Sequence, residues 1–280
     1  MLPPSLAFRL ASLLGAPITA TPVAGGSINQ CYRVDSASGP VFVKHHPDPP
    51  APRSRGALNF FAAESDGLAR LAVAVRTPRV IAVWDHALVL EWIPPRPRTA
   101  ASEASAGHAL ATLHSRHGEH FGLPVDNFMG AVAQDNRGHD TFATFFRERR
   151  LDPLAHHLPA PLRLRLAALD LTRFITEPTA PTLIHGDLWS GNLLHSTIGP
   201  VFIDPAVAYG HPEQDLAMTR LFGGFGDAFY AAYRDSTGLI FDHALDDRLE
   251  ILTLYPLLIH VALFGGSYTR DVAAILDRFT

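Results

Sequence analysis

The chain has 280 residues, 47% of them hydrophobic, and its formal net charge is −4 at pH 7. This charge gives no reason to expect nucleic-acid binding, and no run of about 18 uncharged apolar residues indicates a membrane span. The first residues lack the pattern of a signal peptide, and the single cysteine, Cys31, cannot form an internal disulfide, so we expect a cytoplasmic globular protein of one large domain or two.

The first third of the chain is predicted to be mainly strand. Apolar periodicity indicates a hairpin, a helix and two further strands over residues 28–34, 41–44, 58–72, 80–83 and 88–93. The proline-rich stretch 94–97 should interrupt regular structure, because proline fixes φ and donates no hydrogen bond. We therefore expect a small α+β lobe over residues 1–93.

Helical spacing dominates the rest of the chain. It favours helices over residues 102–117, 141–150, 161–175, 214–221, 227–234, 246–263 and 270–279. One hairpin is predicted among them, with strands 192–195 and 201–204 joined by the turn 196–200. The predicted class is therefore α+β, with a second, mainly helical lobe over residues 94–280.

The segment Ile184-His-Gly-Asp-Leu-Trp-Ser-Gly-Asn-Leu-Leu194 carries the most chemical information. Phosphoryl transfer needs a carboxylate near a hydroxyl nucleophile and oxygen ligands for the metal that neutralises a triphosphate. Asp187 can accept the hydroxyl proton, and Asn192 and Asp204 can offer an amide oxygen and a carboxylate to the metal. The hairpin should return Asp204 to the side of Asn192.

Two neighbours of these residues are given supporting roles. We expect Pro205 to bias Asp204 towards an extended backbone and so to help end the strand. His185 is expected to brace the loop rather than to take part in chemistry.

Four histidines close together in the chain, at 108, 114, 117 and 120, are expected to suit the negative C-terminal end of a helix rather than to bind a metal.

Lys44 is the only lysine among 23 lysine and arginine residues. A lysine on the third strand of such a small lobe reaches the α- and β-phosphates, and a helix glutamate holds it in place. A thin stem with a compact charge can lie beside a phosphate chain where the wide arginine fork cannot. We therefore predict that Lys44 contacts the nucleotide and that Glu64, on the following helix, is its partner.

Further nucleotide contacts are predicted at both ends of the small lobe. Gly25, Gly26 and Ser27 precede the first hairpin and could lay backbone amides over phosphate, since glycine permits close approach. The stretch Leu88-Val-Leu-Glu-Trp-Ile93 would supply a hinge, with backbone groups of Glu91 and Ile93 pairing with adenine.

The chain resembles the fructosamine kinase (ketosamine kinase) family, in the aminoglycoside phosphotransferase-like branch of the protein-kinase-like fold. The similarity covers nearly the whole chain. The motifs that carry it are His185-Gly-Asp-Leu-Trp-Ser-Gly-Asn192, Asp204-Pro-Ala206, Tyr209-Gly210, Glu213-Gln-Asp-Leu-Ala-Met218 and Leu221-Phe-Gly-Gly-Phe225, and other stretches, among them Leu263-Phe-Gly-Gly-Ser-Tyr268, also fit. The tryptophan of the first motif separates the family from the aminoglycoside enzymes. The resemblance implies a bilobal kinase fold and ATP-dependent phosphorylation of a sugar hydroxyl on a ketoamine, giving an ester that breaks down and frees the amine.

The resemblance also implies residue roles. Asp187 would be the catalytic base, and Asn192 and Asp204 the Mg²⁺ ligands. Trp189 would either stack on the sugar or anchor the loop, and Asp215 would hydrogen-bond the loop backbone. The sequence departs from the family near residues 139–142, where the tryptophan that the family would have there is missing.

Alternatives stay open at this point. A second enzyme hypothesis is phosphorylation of an aminoglycoside, choline or another hydroxylated amine, and a hypothesis of another class is a catalytically dead pseudokinase that only binds nucleotide or a partner. The expected substrate is a small ketosamine or a glycated lysine, with no nucleic-acid or membrane partner, and the expected state is a monomer or weak dimer.

The aromatic residues Phe222, Phe225, Phe229 and Tyr230 are predicted to belong to the hydrophobic core.

Overall fold

The computed structural model describes residues 2–23, 28–53 and 57–280, and an antiparallel sheet of five strands forms its N-terminal part. The strands are β1 (Thr19–Pro22), β2 (Gln30–Asp35), β3 (Val41–His45), β4 (Val80–Trp84) and β5 (Ala87–Glu91), in the order β1-β2-β3-β5-β4. Two helices accompany the sheet, α1 (Pro4–Leu14) and α2 (Phe60–Leu71). The mixture of sheet and helix confirms the predicted α+β class.

The alternation of side chains along β3 places Lys44. Val41 and Val43 belong to the cluster that packs the sheet against α1, so Phe42 and Lys44 point to the opposite face. That face carries α2, which begins at the Asn59 cap, where the side-chain oxygen accepts a hydrogen bond of 2.8 Å from the Ala62 amide. Because α2, with Glu64, and Asp204 lie over that face, Lys44 is only 4% exposed.

Two elements at the start of the chain were not predicted. β1 has only four residues, is largely exposed and ends in a proline, which suits an edge strand but breaks the apolar alternation that sequence analysis relies on. The helix α1 buries Leu6, Leu10 and Leu14 against the sheet behind two prolines. Both elements depend on the sheet for their burial.

Helices are the main regular structure after residue 99. They are α3 (Ala100–His114), α4 (Phe142–Phe145), α5 (Ala160–Ala168), α6 (Glu213–Leu221), α7 (Asp227–Thr237), α8 (His243–Leu252), α9 (Leu254–Phe264) and α10 (Ser267–Phe279). Within the described ranges, none of the helices has the length and apolar character that crossing a bilayer needs. The boundary between lobes at residue 93 remains a prediction, since the sheet ends at Glu91 and α3 begins at Ala100.

Three predicted helices differ in detail from those observed. The stretch 246–263 forms two helices, because Thr253 caps α8 and Pro256 is tolerated only in the first turn of α9. The stretch 161–175 stops being α-helical at Ala168. The segment after α4 continues as a π-helix, Phe146–Leu151.

The prediction of a single hairpin in the helical part was wrong, because two more strand pairs are present. The three pairs are β6 (Asn127–Met129) with β7 (Val132–Gln134), β8 (Thr182–Ile184) with β11 (Ala208–Gly210), and the predicted hairpin, β9 (Leu193–Ser196) with β10 (Gly199–Phe202). Strands of three residues are too short to show a period in sequence. The β8–β11 pair matters for the site, because it joins the two ends of the segment 184–208.

Candidate active site

Lys44 lies between two carboxylates from distant parts of the chain. Its Nζ donates to Glu64 Oε1 on α2 at 2.7 Å and to Asp204 Oδ1 after β10. Burial opposes the positive charge, but the two carboxylates outweigh it and raise the pKa of Lys44 above its ordinary value. Lys44, Glu64 and Asp204 therefore form one ion cluster around a buried ammonium group, called the lysine cluster below.

Asp187 and Asn192 lie on the loop between β8 and β9. The Asn192 Nδ2 donates to the Asp187 backbone carbonyl at 2.8 Å and to Asp187 Oδ2 at 3.1 Å. Burial and the negative charge of Asp204 raise the pKa of Asp187 to about 8, although the hydrogen bond from Asn192 stabilises the ionised form and so lowers the pKa. The carboxyl is therefore an unusually strong proton acceptor.

His185 and Asp215 hold this loop in place. Asp215, fully buried on α6, accepts from the amides of His185 at 2.7 Å and Gly186 at 2.8 Å. The His185 Nδ1 accepts from the Asp187 amide at 3.2 Å, so its Nε2 donates to the Ile203 carbonyl at 2.9 Å. The roles expected of both residues agree with these contacts.

Gly186 allows the loop to pass close to the segment just after Asp204. Its φ is +82°, and a Cβ at this position would lie 2.1 Å from the Ala206 carbonyl oxygen. Only glycine satisfies both conditions. The tight approach brings Asp187 and the Asp204 segment to one side of the cavity.

The expectation of an extended backbone at Asp204 was wrong. Its φ is +55°, in the left-handed region, and it is the only non-glycine residue with positive φ in the described part of the chain. Proline disfavours the right-handed α region before it, and aspartate tolerates the left-handed one better than most residues. Contacts on both sides, to Lys44 and from His185 to the Ile203 carbonyl, fix this conformation.

The predicted hinge lies along the end of β5. The Glu91 amide donates to the Arg79 carbonyl at 2.9 Å, so its carbonyl, not its N–H, is the group that could serve adenine. The Glu91 side chain accepts from Arg76 at 2.7 Å, which fixes the strand end. Glu91 and Ile93 both line the central cavity, whereas Gly25, Gly26 and Ser27 lie outside the described residues.

One cavity of about 920 Å³ connects these residues. Its lining includes every predicted site residue that the structure describes: Lys44, Glu64, Glu91, Ile93, Asp187, Trp189, Asn192 and Asp204. The Trp189 ring packs over Gly191, where a Cβ would come within 2.2 Å of it, and also faces the cavity. Both expected roles of Trp189 therefore stay predictions.

Two oxygen donors in this cavity fit a magnesium ion. Asn192 turns its Nδ2 towards Asp187, which leaves Oδ1 for a cation, and Asp204 contributes a carboxylate. Across the described ranges, no three histidine, cysteine or acidic side chains are grouped so that they could hold a metal by themselves. Two protein ligands suit Mg²⁺, which usually binds together with substrate phosphates and waters.

A buried polar network beneath the Asp204 segment was not predicted from the sequence. Asn127 Nδ2 donates to the Val207 carbonyl at 2.8 Å, Gln134 Nε2 donates to Asn127 Oδ1 at 2.9 Å, and the Tyr255 hydroxyl donates to Gln134 Oε1 at 2.7 Å. The β6–β7 pair carries Asn127 and Gln134, so the short unpredicted hairpin positions the chain just after Asp204.

The prediction that Phe222 belongs to the core was wrong. Its side chain is 40% exposed and lines the cavity, whereas Phe229 is buried. His260, Phe264 and Tyr268 also line the cavity and were not predicted as site residues. Phe264 and Tyr268 fall in the motif Leu263-Phe-Gly-Gly-Ser-Tyr268, which was the sequence signal that could have identified them as site residues.

Near residues 139–142, Phe142 is fully buried against other rings.

Known proteins share both the sequence and the fold. The family model described as fructosamine kinase matches residues 9–280. A protein of Enterococcus faecium named probable ketoamine kinase is 37% identical over 272 residues, covering 92% of this chain and 94% of that protein. A Thermobifida fusca crystal structure of a fructosamine-3-kinase candidate has a TM-score of 0.83 and 34% identity, covering 98% of this chain and 99% of that one.

More distant structures show the fold alone. The gentamicin complex of APH(2″)-IIa is 12% identical, with a TM-score of 0.65 over 100% of this chain and 97% of that one. The architecture is thus that of the protein-kinase-like phosphotransferases, as expected. With the family match and the curated relatives together, the chain belongs to the fructosamine kinase family, whose members are phosphotransferases with an alcohol group as acceptor.

Proposed function

We propose that this protein uses ATP and Mg²⁺ to phosphorylate a sugar hydroxyl of ketosamines. The observation that carries the proposal is the convergence of Lys44, Asp187, Asn192 and Asp204 on one cavity, although they lie up to 160 positions apart in the chain. Membership of the fructosamine kinase family supports ketosamines as the acceptor class.

The nucleotide is proposed to lie between the hinge and the lysine cluster. An ammonium group has three N–H donors, and Glu64 and Asp204 accept two from Lys44, which leaves one for the phosphates. The Glu91 carbonyl and the Ile93 amide would pair with adenine. Asn192 and Asp204 would hold Mg²⁺, which when bound neutralises charge on the transferring phosphoryl group.

Asp187 is proposed to be the base. As the acceptor oxygen forms its bond to the γ-phosphorus, the bond from that phosphorus to the bridging oxygen of ADP breaks, and the hydroxyl proton moves to the Asp187 carboxylate. Without a bound cation the Asp187 carboxyl, with a pKa of about 8, is still protonated at neutral pH. A cation held by Asn192 and Asp204 would favour the ionised form, which is the form that accepts the proton. The hydrogen bond from Asn192 keeps the carboxyl oriented.

The product ester is proposed to break down and free the amine, which amounts to deglycation. The acceptor would be either a ketosamine of low molecular weight or a glycated lysine side chain. Both present the same sugar to Asp187, so they differ only in what the amine carries.

The charges that line the cavity favour this acceptor over an aminoglycoside. Among the described lining residues the carboxylates are Glu64, Glu91, Asp187 and Asp204. Glu64 and Asp204 are paired with Lys44, and Glu91 with Arg76. Asp187 alone would remain for a polycation with several ammonium groups, whereas a ketosamine brings one amine.

Acceptor profiling tests the proposal. ADP release is measured with MgATP and, separately, fructosamine and ribulosamine adducts, an aminoglycoside and choline. We expect turnover with the ketosamines and little with the others. Ketosamine turnover should disappear in Asp187→Asn while ATP binding persists, and an enzyme that ignores ketosamines but phosphorylates the antibiotic or choline would overturn the proposal.

A further inference from the structure

Aromatic side chains with open faces form one wall of the cavity. Phe222, His260, Phe264 and Tyr268, called the aromatic wall below, are contributed by the end of α6 and by α9 and α10. The ring centre of His260 lies 4.9 Å from that of Phe222 and 4.8 Å from that of Tyr268. Phe222 and Phe264 are 40% and 54% exposed.

The aromatic wall continues directly from the catalytic loop. Gly224, two residues after Phe222, packs so closely on Ser190 that a Cβ there would lie 2.4 Å from the Ser190 Oγ. Ser190 follows Trp189, whose ring also faces the cavity. The wall therefore borders the acceptor side of Asp187, whereas the lysine cluster is supplied by β3, α2 and the segment after β10.

Exposed rings clustered in a cavity indicate a ligand surface, because they leave apolar area in water until something covers it. His260 adds one polar atom: its Nδ1 donates to the Pro256 carbonyl at 2.7 Å, which leaves Nε2 of the neutral ring as an acceptor. None of the four carboxylates of the described lining lies on α6, α9 or α10. Lys44, the cation of that lining, is already paired twice.

We propose that the aromatic wall binds the amine-derived part of the ketosamine and selects adducts of apolar amines over adducts that carry a carboxylate beside the nitrogen. This inference rests on the proposed function. Ring faces attract the protonated amine and bury the chain attached to it. A carboxylate next to the nitrogen would be repelled by the negative ring faces and would lose its hydrating water. Binding would therefore be weaker, because no cation among the described lining residues is left to pair with it.

A matched acceptor series measures this selection. The acceptors are fructose adducts of butylamine, benzylamine and glycine, together with free fructose, at saturating MgATP. We expect kcat/KM for the butylamine and benzylamine adducts to exceed that for the glycine adduct by roughly tenfold, with free fructose poorest.

Variants of the aromatic wall test whether its side chains cause this selectivity between acceptors. Phe264→Ala and Phe222→Ala should raise KM for the butylamine and benzylamine adducts roughly tenfold, with kcat and the KM for ATP nearly unchanged, because these contacts are equal in the ground and transition states. Both side chains are substantially exposed, so the variants should fold, which thermal unfolding checks. Phe8→Ala, a 74% exposed ring on α1 outside the cavity, is the control and should behave as wild type.

The outcomes separate this inference from the proposed function. Wild-type enzyme that phosphorylates the glycine and butylamine adducts equally well, or wall variants with unchanged KM, would overturn the inference and leave ketosamine phosphorylation standing. Failure to phosphorylate any ketosamine would overturn both.

Discussion

The two ends of the cavity differ in charge and in polarity. At the lysine cluster a buried cation is matched by two carboxylates from distant parts of the chain. At the aromatic wall, rings stand open and few polar atoms are present. The first arrangement suits a cofactor of constant charge, and the second suits acceptors that vary in shape and share an apolar surface.

Asp187 lies where the two ends meet, so its removal should have the largest effect. Asp187→Asn keeps the shape of the side chain but cannot accept the proton, and we expect kcat to fall by about 10³-fold. The dissociation constant for ATP, measured by titration calorimetry, should change little. Normal turnover in this variant would show that the proton goes elsewhere.

Lys44→Arg tests whether the nucleotide end depends on a point charge. The planar fork cannot take the place of one Nζ between Glu64 and Asp204 and still reach phosphate, so kcat/KM for ATP should drop by about 10²-fold. Steady-state kinetics with varied ATP measure the drop. The exchange Arg234→Lys, at an exposed side chain of α7 outside the cavity, is the control, and equal effects of the two exchanges would contradict the assignment.

Gly186→Ala tests the close approach between the loop that carries Asp187 and the Asp204 segment. We expect the free energy of unfolding to fall by about 3 kcal/mol or more, because the new Cβ combines a disfavoured φ with a clash against the Ala206 carbonyl. Gly238→Ala has a similar φ of +71° but open space around it, and should cost only about 1 kcal/mol. Urea unfolding of both variants gives the comparison, and equal losses would mean that the approach is not tight.

The raised pKa of Asp187 predicts a pH dependence of stability in the nucleotide-free protein. The folded state holds this proton up to about pH 8, whereas an unfolded aspartate loses it near its ordinary value of 3.8. The folded state therefore loses stability relative to Asp187→Asn as pH rises between these values. We expect the variant to gain about 3–4 kcal/mol on wild type between pH 5 and pH 8, at 1.36 kcal/mol per pKa unit. Thermal unfolding at both pH values checks this, and a constant gap would show an unperturbed carboxyl.

The local parts of this site could be read from sequence. Lys44 and Glu64 fall on a strand and helix whose apolar periods are clear, and the spacing of Asp187 and Asn192 fits one loop. The φ of Asp204 could not be predicted, because Lys44 and His185, which fix it, are distant in the chain. Neither could the three-residue strands, which exist only through their partners.

The aromatic wall was harder to predict for a related reason. Periodicity tells which residues avoid water, but not whether an aromatic ring is covered by the core or by a ligand. Phe222 and Phe229 look alike in sequence, yet one is 40% exposed in the cavity and the other fully buried. Only the arrangement of α6, α9 and α10 distinguishes them.

Direct competition between acceptors tests the central claim most simply. Wild-type protein is mixed with MgATP and equal concentrations of a butylamine–fructose adduct, choline and an aminoglycoside, and ³¹P NMR identifies the phosphate esters formed. The account predicts that the ketosamine phosphate ester appears and that the other esters are minor. Phosphorylation of choline or the aminoglycoside, with the ketosamine left unchanged, would contradict it.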